Sequence, residues 1–380
     1  MTSSPGFFIP ELARLRERRS AKWVTYPPDV LPAWVAEMDF ALAPPVKAAL
    51  EAAIARDDYG YPREGELPAT FAAFAQTTWG WTIDPAAIFM VPDVMVGVGE
   101  TLRLLTERDA PVVINSPVYP PFYAVPVEVD RRIVDVPLRE DAGGWQLDLD
   151  ALEAAFAGGA RTYLLCNPHN PVGRAFTRAE LEAIADLAAR FGVLVISDEI
   201  HAPLGLPGAT HTPFALVAAP RGVETVVLTS ASKAWNVPGL KCALIISATP
   251  RLTSVPAETR YRTGIFGVFA GVAAFRDGGP WLAAALAQLD RNRRRLAELL
   301  RERLPAVRYR QPEASYLAWL DCSGLGLADE PGNAFLKRGR VALSPGRSFG
   351  AAYRAWVRLN YATSDALLDE ITARMALSVR

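Results

Sequence analysis

Three stretches of the chain hold side chains that could do chemistry together. Ser230-Ala-Ser-Lys233 sets a lysine among small hydroxyl residues, in a chain with only five lysines (Lys22, Lys47, Lys233, Lys241 and Lys337). Ser197-Asp-Glu-Ile-His201 and Asn167-Pro-His-Asn-Pro-Val-Gly173 offer Asp198 and Asn170 at or just after the ends of apolar runs. If those runs are strands of one sheet, the three side chains project into one crevice. An amine, a carboxylate and a neutral donor are what a pyridoxal 5′-phosphate ring requires: an imine partner, an anion that keeps the ring nitrogen protonated, and a donor to the phenolate oxygen. Lys233, Asp198 and Asn170 supply these in turn. Singly, each has an ordinary reading as a solvated loop lysine, a helix cap or a turn residue. Three polar strand ends in the order this cofactor needs are poorly explained as independent accidents.

Other residues fit around that trio. Ser230 and Ser232 offer hydroxyls to a phosphate and Lys241 offers charge. Pro92-Asp-Val-Met-Val96 passes from strand to helix, where amide groups suit an anion. Tyr119, in Ser116-Pro-Val-Tyr-Pro-Pro121, is suited to stacking on a ring, and Arg358, on a strand at Trp356–Asn360, has the fork geometry for a substrate carboxylate. His201 reads equally as an orienting partner of Asp198 or as a structural histidine. His169, Cys166 and Cys322 read as packing residues, and Trp235 as core filler before an entrance residue.

These groups need a scaffold, and the hydrophobic pattern supplies one. Apolar runs beginning at Ile88, Pro111, Arg132, Thr162, Val193, Thr225 and Ala243 alternate with helical stretches such as Arg178–Arg190, whose apolar residues recur at three and four positions. Alternation of this kind predicts an α/β fold with a mainly parallel seven-stranded sheet covered by helices, which binds ligands at the strands' C-terminal ends. Before it come a short amphipathic helix over residues 9–19, an extended segment over 31–40, a helix over 45–56 and a loop, Asp58–Gly65, with exposed tyrosines. After it come a long helix over 281–304, half-buried strands over 307–320 and 355–361, and a closing helix over 366–377. The change of texture predicts a large domain, residues 45–280, and a smaller α+β domain built from 1–44 and 281–380.

Composition bounds the function. The 380 residues include 40 basic and 41 acidic ones, for a net charge of −1, so no nucleic-acid partner is expected. The clusters Arg16–Arg19 and Arg291–Arg295 read as solvated helix faces. No apolar run approaches a membrane span, and the N-terminus lacks a basic region followed by an apolar core. Three widely spaced cysteines make no disulfide framework and suggest a reducing cytoplasm. The three histidines lack metal-site spacing, so no metal is expected.

Several motifs in register resemble one family. Trp34-Val-Ala-Glu-Met-Asp-Phe40, Tyr59-Gly-Tyr-Pro62, the three strand-end motifs, Asn236-Val-Pro-Gly-Leu240 and Val357-Arg-Leu-Asn360 look like signatures of fold-type I pyridoxal-phosphate enzymes. The likeness is to the class I/II aminotransferase superfamily, with its aspartate aminotransferase-like fold, and within it to the cystathionine β-lyase-like MalY/PatB branch. It spans essentially the whole chain. It implies that Lys233 is the cofactor's imine lysine and the base that moves the Cα proton. Asp198 would meet the ring nitrogen, Asn170 the phenolate oxygen and Tyr119 the ring face. Ser230, Ser232 and the amides near Val94 and Met95 would hold the phosphate, and Tyr61 would reach the phosphate of a neighbouring subunit in a homodimer. Arg358 would clamp the carboxylate, beside Ala36. Two departures stand out: Pro203, where an acidic residue commonly follows the histidine, and Glu37, where Asp is frequent.

The activity this implies is β-elimination on an amino acid with sulfur at Cβ, such as cystathionine or a cysteine S-conjugate, giving thiol, pyruvate and ammonia. Transamination uses the same residues and is the alternative, followed by a decarboxylating or oxidising variant. A non-catalytic regulatory module would have no need of Lys233.

Overall fold

A computed structural model of the protein describes residues 6–247 and 249–379. The expectations for the first five residues therefore fall outside the described residues.

The seven apolar runs all form strands of one sheet: β1 (Ile88–Val91), β2 (Pro111–Ile114), β3 (Arg132–Asp135), β4 (Thr162–Cys166), β5 (Leu194–Asp198), β6 (Thr225–Thr229) and β7 (Ala243–Ser247). Their spatial order is β1-β7-β6-β5-β4-β2-β3, with β7 antiparallel to both neighbours and the other pairings parallel. The runs are continuous rather than alternating because both faces are covered. Tyr163 and Leu165 of β4 enter one apolar cluster, with Leu181 and Ile184 of the helix Arg178–Phe191. Leu164 and Cys166 enter another, with Val98 and Leu102 of the helix Val94–Leu105.

Local chemistry sets the helix ends. The helix Arg178–Phe191 starts at a Thr177/Glu180 capping box and stops at Gly192, whose φ of 63° suits a residue without a Cβ. Asp93 caps Val94–Leu105 by accepting the Val96 amide at 2.9 Å. The long helix runs from Gly279 to Arg303 and the closing helix from Asp365 to Leu377, close to expectation.

The C-terminal part holds a second sheet of β8 (Arg308–Tyr309), β9 (Leu317–Asp321), β10 (Ser344–Pro345) and β11 (Trp356–Asn360), in the order β8-β9-β11-β10. The expectation of half-buried strands fails at β9, where all five residues are buried, and at β11, where Val357, Arg358, Leu359 and Asn360 are buried. Trp319 explains part of this, because it stacks on Trp356 with ring centroids 5.3 Å apart and packs on Phe349 at 5.2 Å.

The N-terminal segment also differs from expectation. Only Leu12–Leu15 of residues 9–19 is α-helical, and of 31–40 only Leu31–Pro32 is strand, paired in parallel with Val341–Ala342. The rest is held by isolated backbone bonds, such as the Asp39 amide to the Ala362 carbonyl at 2.9 Å, and by side chains. Arg18 is not a solvated residue: its guanidinium donates to the carbonyls of Met38, Asp39 and Phe40 at 3.1–3.2 Å. Lys22 is buried and donates to Asp39 at 2.7 Å and to the Glu37 carbonyl at 2.9 Å. A buried lysine needs an anion, so sequence-distant charges fix this segment where regular backbone pairing does not. Of the arginines at 291–295, Arg293 and Arg294 pair with Asp290 and Arg295 with Asp369, whereas Arg291 donates to Gln288. No described helix is long and apolar enough to cross a membrane.

Candidate active site

Register brings the strand ends together. Cys166 pairs with Asp198 and Asp198 with Leu228, so the loop carrying Asn170, the carboxylate of Asp198 and the turn leading to Lys233 emerge side by side from β4, β5 and β6. The Asn170 loop is tied down at Gly173. Its φ is 69° and a Cβ there would run into Pro312, so only glycine fits, and its carbonyl accepts the amides of Glu313 and Ala314 at 2.8 and 3.0 Å.

Asp198 lies buried with one oxygen accepting the Ile200 amide at 3.0 Å. Burial pushes its carboxyl up to about 7, although that amide and Lys233 pull the other way. Lys233 is part-buried, and its amine donates to the Ala36 carbonyl at 3.2 Å. Burial and the Arg358 charge bring it down to about 8. The crevice therefore pairs an amine that deprotonates readily with a carboxyl short of cationic neighbours. His201 is buried, its Nδ1 lacks a partner, and burial with the Lys233 and Arg358 charges lowers it to about 3, so the ring is neutral. It packs edge-on to Tyr316.

Arg358 comes from β11 and is 5% exposed. One terminal nitrogen donates to the Asn170 side-chain oxygen at 3.1 Å, and the other to the Trp34 carbonyl at 3.1 Å and to Ser344 Oγ at 3.3 Å. Its carbon lies 4.8 Å from the centre of the Phe349 ring, its Nε has no partner, and burial lowers its pKa to about 10. A buried guanidinium with no carboxylate partner is a ready anion site. Tyr119 is part-buried, and its hydroxyl pKa is raised mainly by burial and also by Asp198, against the Arg358 charge.

The model match runs from residue 30 to residue 375 and is to the family described as "Aminotransferase class I and II". The chain belongs to the class I and II aminotransferase family. Among relatives of this aminotransferase-family chain, it is 46% identical to a candidate cystathionine beta-lyase of Mycobacterium tuberculosis, over 97% of each protein. It is 35% identical to the cystathionine beta-lyase of Corynebacterium glutamicum, over 97% of this chain and 99% of that one. Among solved structures it is similar to cystalysin from Treponema denticola, which contains a pyridoxal 5′-phosphate cofactor. The TM-score there is 0.87 at 26% identity, covering 94% of this chain and 95% of that chain.

The remaining expected residues of this aminotransferase-family chain are distributed as follows. Ser230 Oγ caps the short helix Ala231–Ala234 by accepting the Ser232 amide at 3.0 Å, donates to the Cys242 carbonyl at 2.6 Å and lies 2.5 Å from Ser232 Oγ. Val94 and Met95 open the helix Val94–Leu105, where first-turn amides have no intrahelical acceptor. Lys241 is exposed and pairs with Asp93 at 3.1 Å, beside that helix start. Ala36 is buried and contributes its carbonyl. Tyr61 is not in this crevice: it is 85% exposed, edge-on to Tyr261. Trp235 is fully buried against Phe74 and Phe275, so it is core.

Sequence reading missed Tyr316, which donates to the Ala36 carbonyl at 3.0 Å, and Asn236 and Asn360, which brace the backbone of residues 35–38. It also missed Trp34, Ser344 and Phe349 around Arg358. The asparagines lay within quoted motifs, which was the available signal, whereas Trp34 acts through a carbonyl that any residue would provide.

Proposed function

We propose that this protein is a pyridoxal 5′-phosphate-dependent carbon–sulfur β-lyase acting on an amino acid with sulfur at Cβ, such as cystathionine or a cysteine S-conjugate. One observation carries the reading: a readily deprotonated lysine and a buried, cation-poor carboxyl sit at adjacent strand ends, facing an arginine with no carboxylate partner. Those unmet requirements fit the cofactor and an α-amino acid. When bound, the cofactor supplies an aldehyde that captures amines and a ring that withdraws the electron pair left at the substrate's Cα.

The chain's residues do the rest. Asp198 would keep the ring nitrogen protonated, Asn170 would donate to the phenolate oxygen and Tyr119 would lie against the ring. Ser230, Ser232 and the Val94 and Met95 amides hold the phosphate, with Lys241 adding charge nearby. Arg358 binds the substrate carboxylate in a pocket walled by Ala36. Lys233 would be the base that removes the Cα proton of the bound amino acid. The Cβ–S bond then breaks, the thiolate leaves, and the released enamine takes up water to give pyruvate and ammonia.

The relatives' names favour elimination over transamination. Incubating the holoenzyme with cystathionine and no 2-oxo acid should release pyruvate, thiol and ammonia in equal amounts. A strict requirement for a 2-oxo acid would replace the lyase by an aminotransferase. We further infer that the large unit of residues 45–280 carries the cofactor and the smaller unit of 1–44 with 281–380 carries the carboxylate clamp. The exposed Tyr61 would meet the phosphate of a second copy in a homodimer. Three free cysteines, two of them buried, suit a reducing cytoplasm.

A further inference from the structure

Behind Asp198 lies a buried carboxyl–imidazole pair that the reaction itself does not use. Glu199 is 2% exposed, and one carboxylate oxygen lies 2.9 Å from His211 Nε2. The other accepts the Ser197 hydroxyl at 2.9 Å and the Phe214 amide at 2.8 Å. His211 is also buried and packs edge-on to Trp79 with ring centroids 5.5 Å apart. Every carboxylate contact of Glu199 therefore lies on its own strand or on the segment 211–214.

The backbone at Glu199 is held just as firmly. Its amide donates to the Leu228 carbonyl at 2.8 Å, and its carbonyl accepts the Ala202 amide at 2.9 Å and the Thr229 hydroxyl at 3.4 Å. That carbonyl belongs to the same planar peptide unit as the Ile200 amide, which binds Asp198 at 3.0 Å. Fixing one end of a rigid peptide fixes the other.

We propose that Glu199 and His211 are positioning residues. By anchoring the Glu199 side chain to Ser197 and to the segment 211–214, they hold in place the residue whose carbonyl Ala202 and Thr229 bind, and through its peptide with Ile200 they set the rotation of the Asp198 carboxylate, so that one oxygen is held by Ile200 and the other is presented to the cofactor's ring nitrogen. The pair touches neither cofactor nor substrate. This rests on the cofactor reading above.

The competing account is that His211 only gives the buried Glu199 carboxyl a hydrogen-bond partner for the sake of the fold. Replacing both side chains by apolar groups separates the two, because such a replacement of a buried polar pair commonly leaves stability unchanged or higher. The measurement is titration of apoprotein with pyridoxal 5′-phosphate, followed by its visible absorbance, with thermal unfolding of the apoprotein alongside. Glu199→Gln keeps an acceptor for Ser197 and Phe214 and should bind within about twofold of the parent. Glu199→Leu combined with His211→Leu should fold, yet bind about tenfold more weakly with a shifted band. Parental affinity and spectrum in the double variant overturn the proposal. If the double variant does not fold, His211→Gln is read by the same titration, and parental affinity and spectrum there overturn it too. Failure of the unaltered protein to bind the cofactor would instead remove the cofactor reading.

Discussion

Lys22 and Lys233 reach the same short stretch of chain, residues 36–39, and their surroundings differ. Lys22 donates to Asp39 and to the Glu37 carbonyl and is 2% exposed. Lys233 donates to the Ala36 carbonyl, three residues earlier, and has no carboxylate within ion-pairing distance among the described residues. One lysine is matched by a fixed anion and the other is left with a neutral acceptor, so its proton is loosely held. Burial of a lysine is thus no mark of function in itself. What marks Lys233 is burial without a compensating charge, next to a carboxyl and a guanidinium in a similar condition.

The sharpest test of that contrast is Lys233→Ala. Turnover should fall on the order of a thousandfold or more, and the visible absorbance of the lysine-bound cofactor should vanish, while the fold persists. Pyruvate release that survives would erase the distinction between the two lysines. Lys22→Ala should do the reverse. It leaves Asp39 buried and unpaired, so urea unfolding should show a loss of about 3–5 kcal/mol, with cofactor binding retained in the molecules that remain folded.

A smaller effect is expected at Arg358. Arg358→Ala removes a charged donor from the carboxylate site, and KM should rise roughly tenfold to a hundredfold, read from initial rates across substrate concentrations. The mildest test is pH. Lys233 falls from 10.5 to about 8, so it is protonated below that pH and a free nucleophile above it. Capture of pyridoxal 5′-phosphate by the apoprotein should therefore quicken as pH rises and level off above 8. It should be roughly tenfold slower at pH 7 than on the plateau. Asp198, lifted to about 7, works in the same direction, because its anion forms only as pH rises. A rate that kept climbing about tenfold per pH unit past pH 9, with no plateau, would make Lys233 an ordinary amine.

Six strands of the large sheet were legible because both faces are covered there, which writes each as an apolar run, and the edge strand β3, exposed at both ends, was legible from its Ile133-Val134 centre. Asn170, Asp198 and Lys233 were legible because each follows such a run closely. Strand order was not, since pattern gives the period of an element and not its neighbour. β9 was misread as half-buried because Trp319 and Trp356 cover a face that alternation assigns to solvent. The N-terminal segment was the hardest to read. Arg18 and Lys22 look like surface charges in the sequence, and only the fold shows that their partners lie 15 to 22 residues ahead.

The Ala36 carbonyl receives both the Lys233 amine and the Tyr316 hydroxyl. An oxygen of the main chain is present whatever side chain sits there, so an alanine scan would pass over this position, and a lineage could change the residue and lose nothing at that contact. Its contribution would surface only if the atom itself were altered, for instance by swapping the following amide for an ester and weakening the acceptor. The lysine at the centre of this chemistry is thus partnered by a group that the genetic code cannot remove.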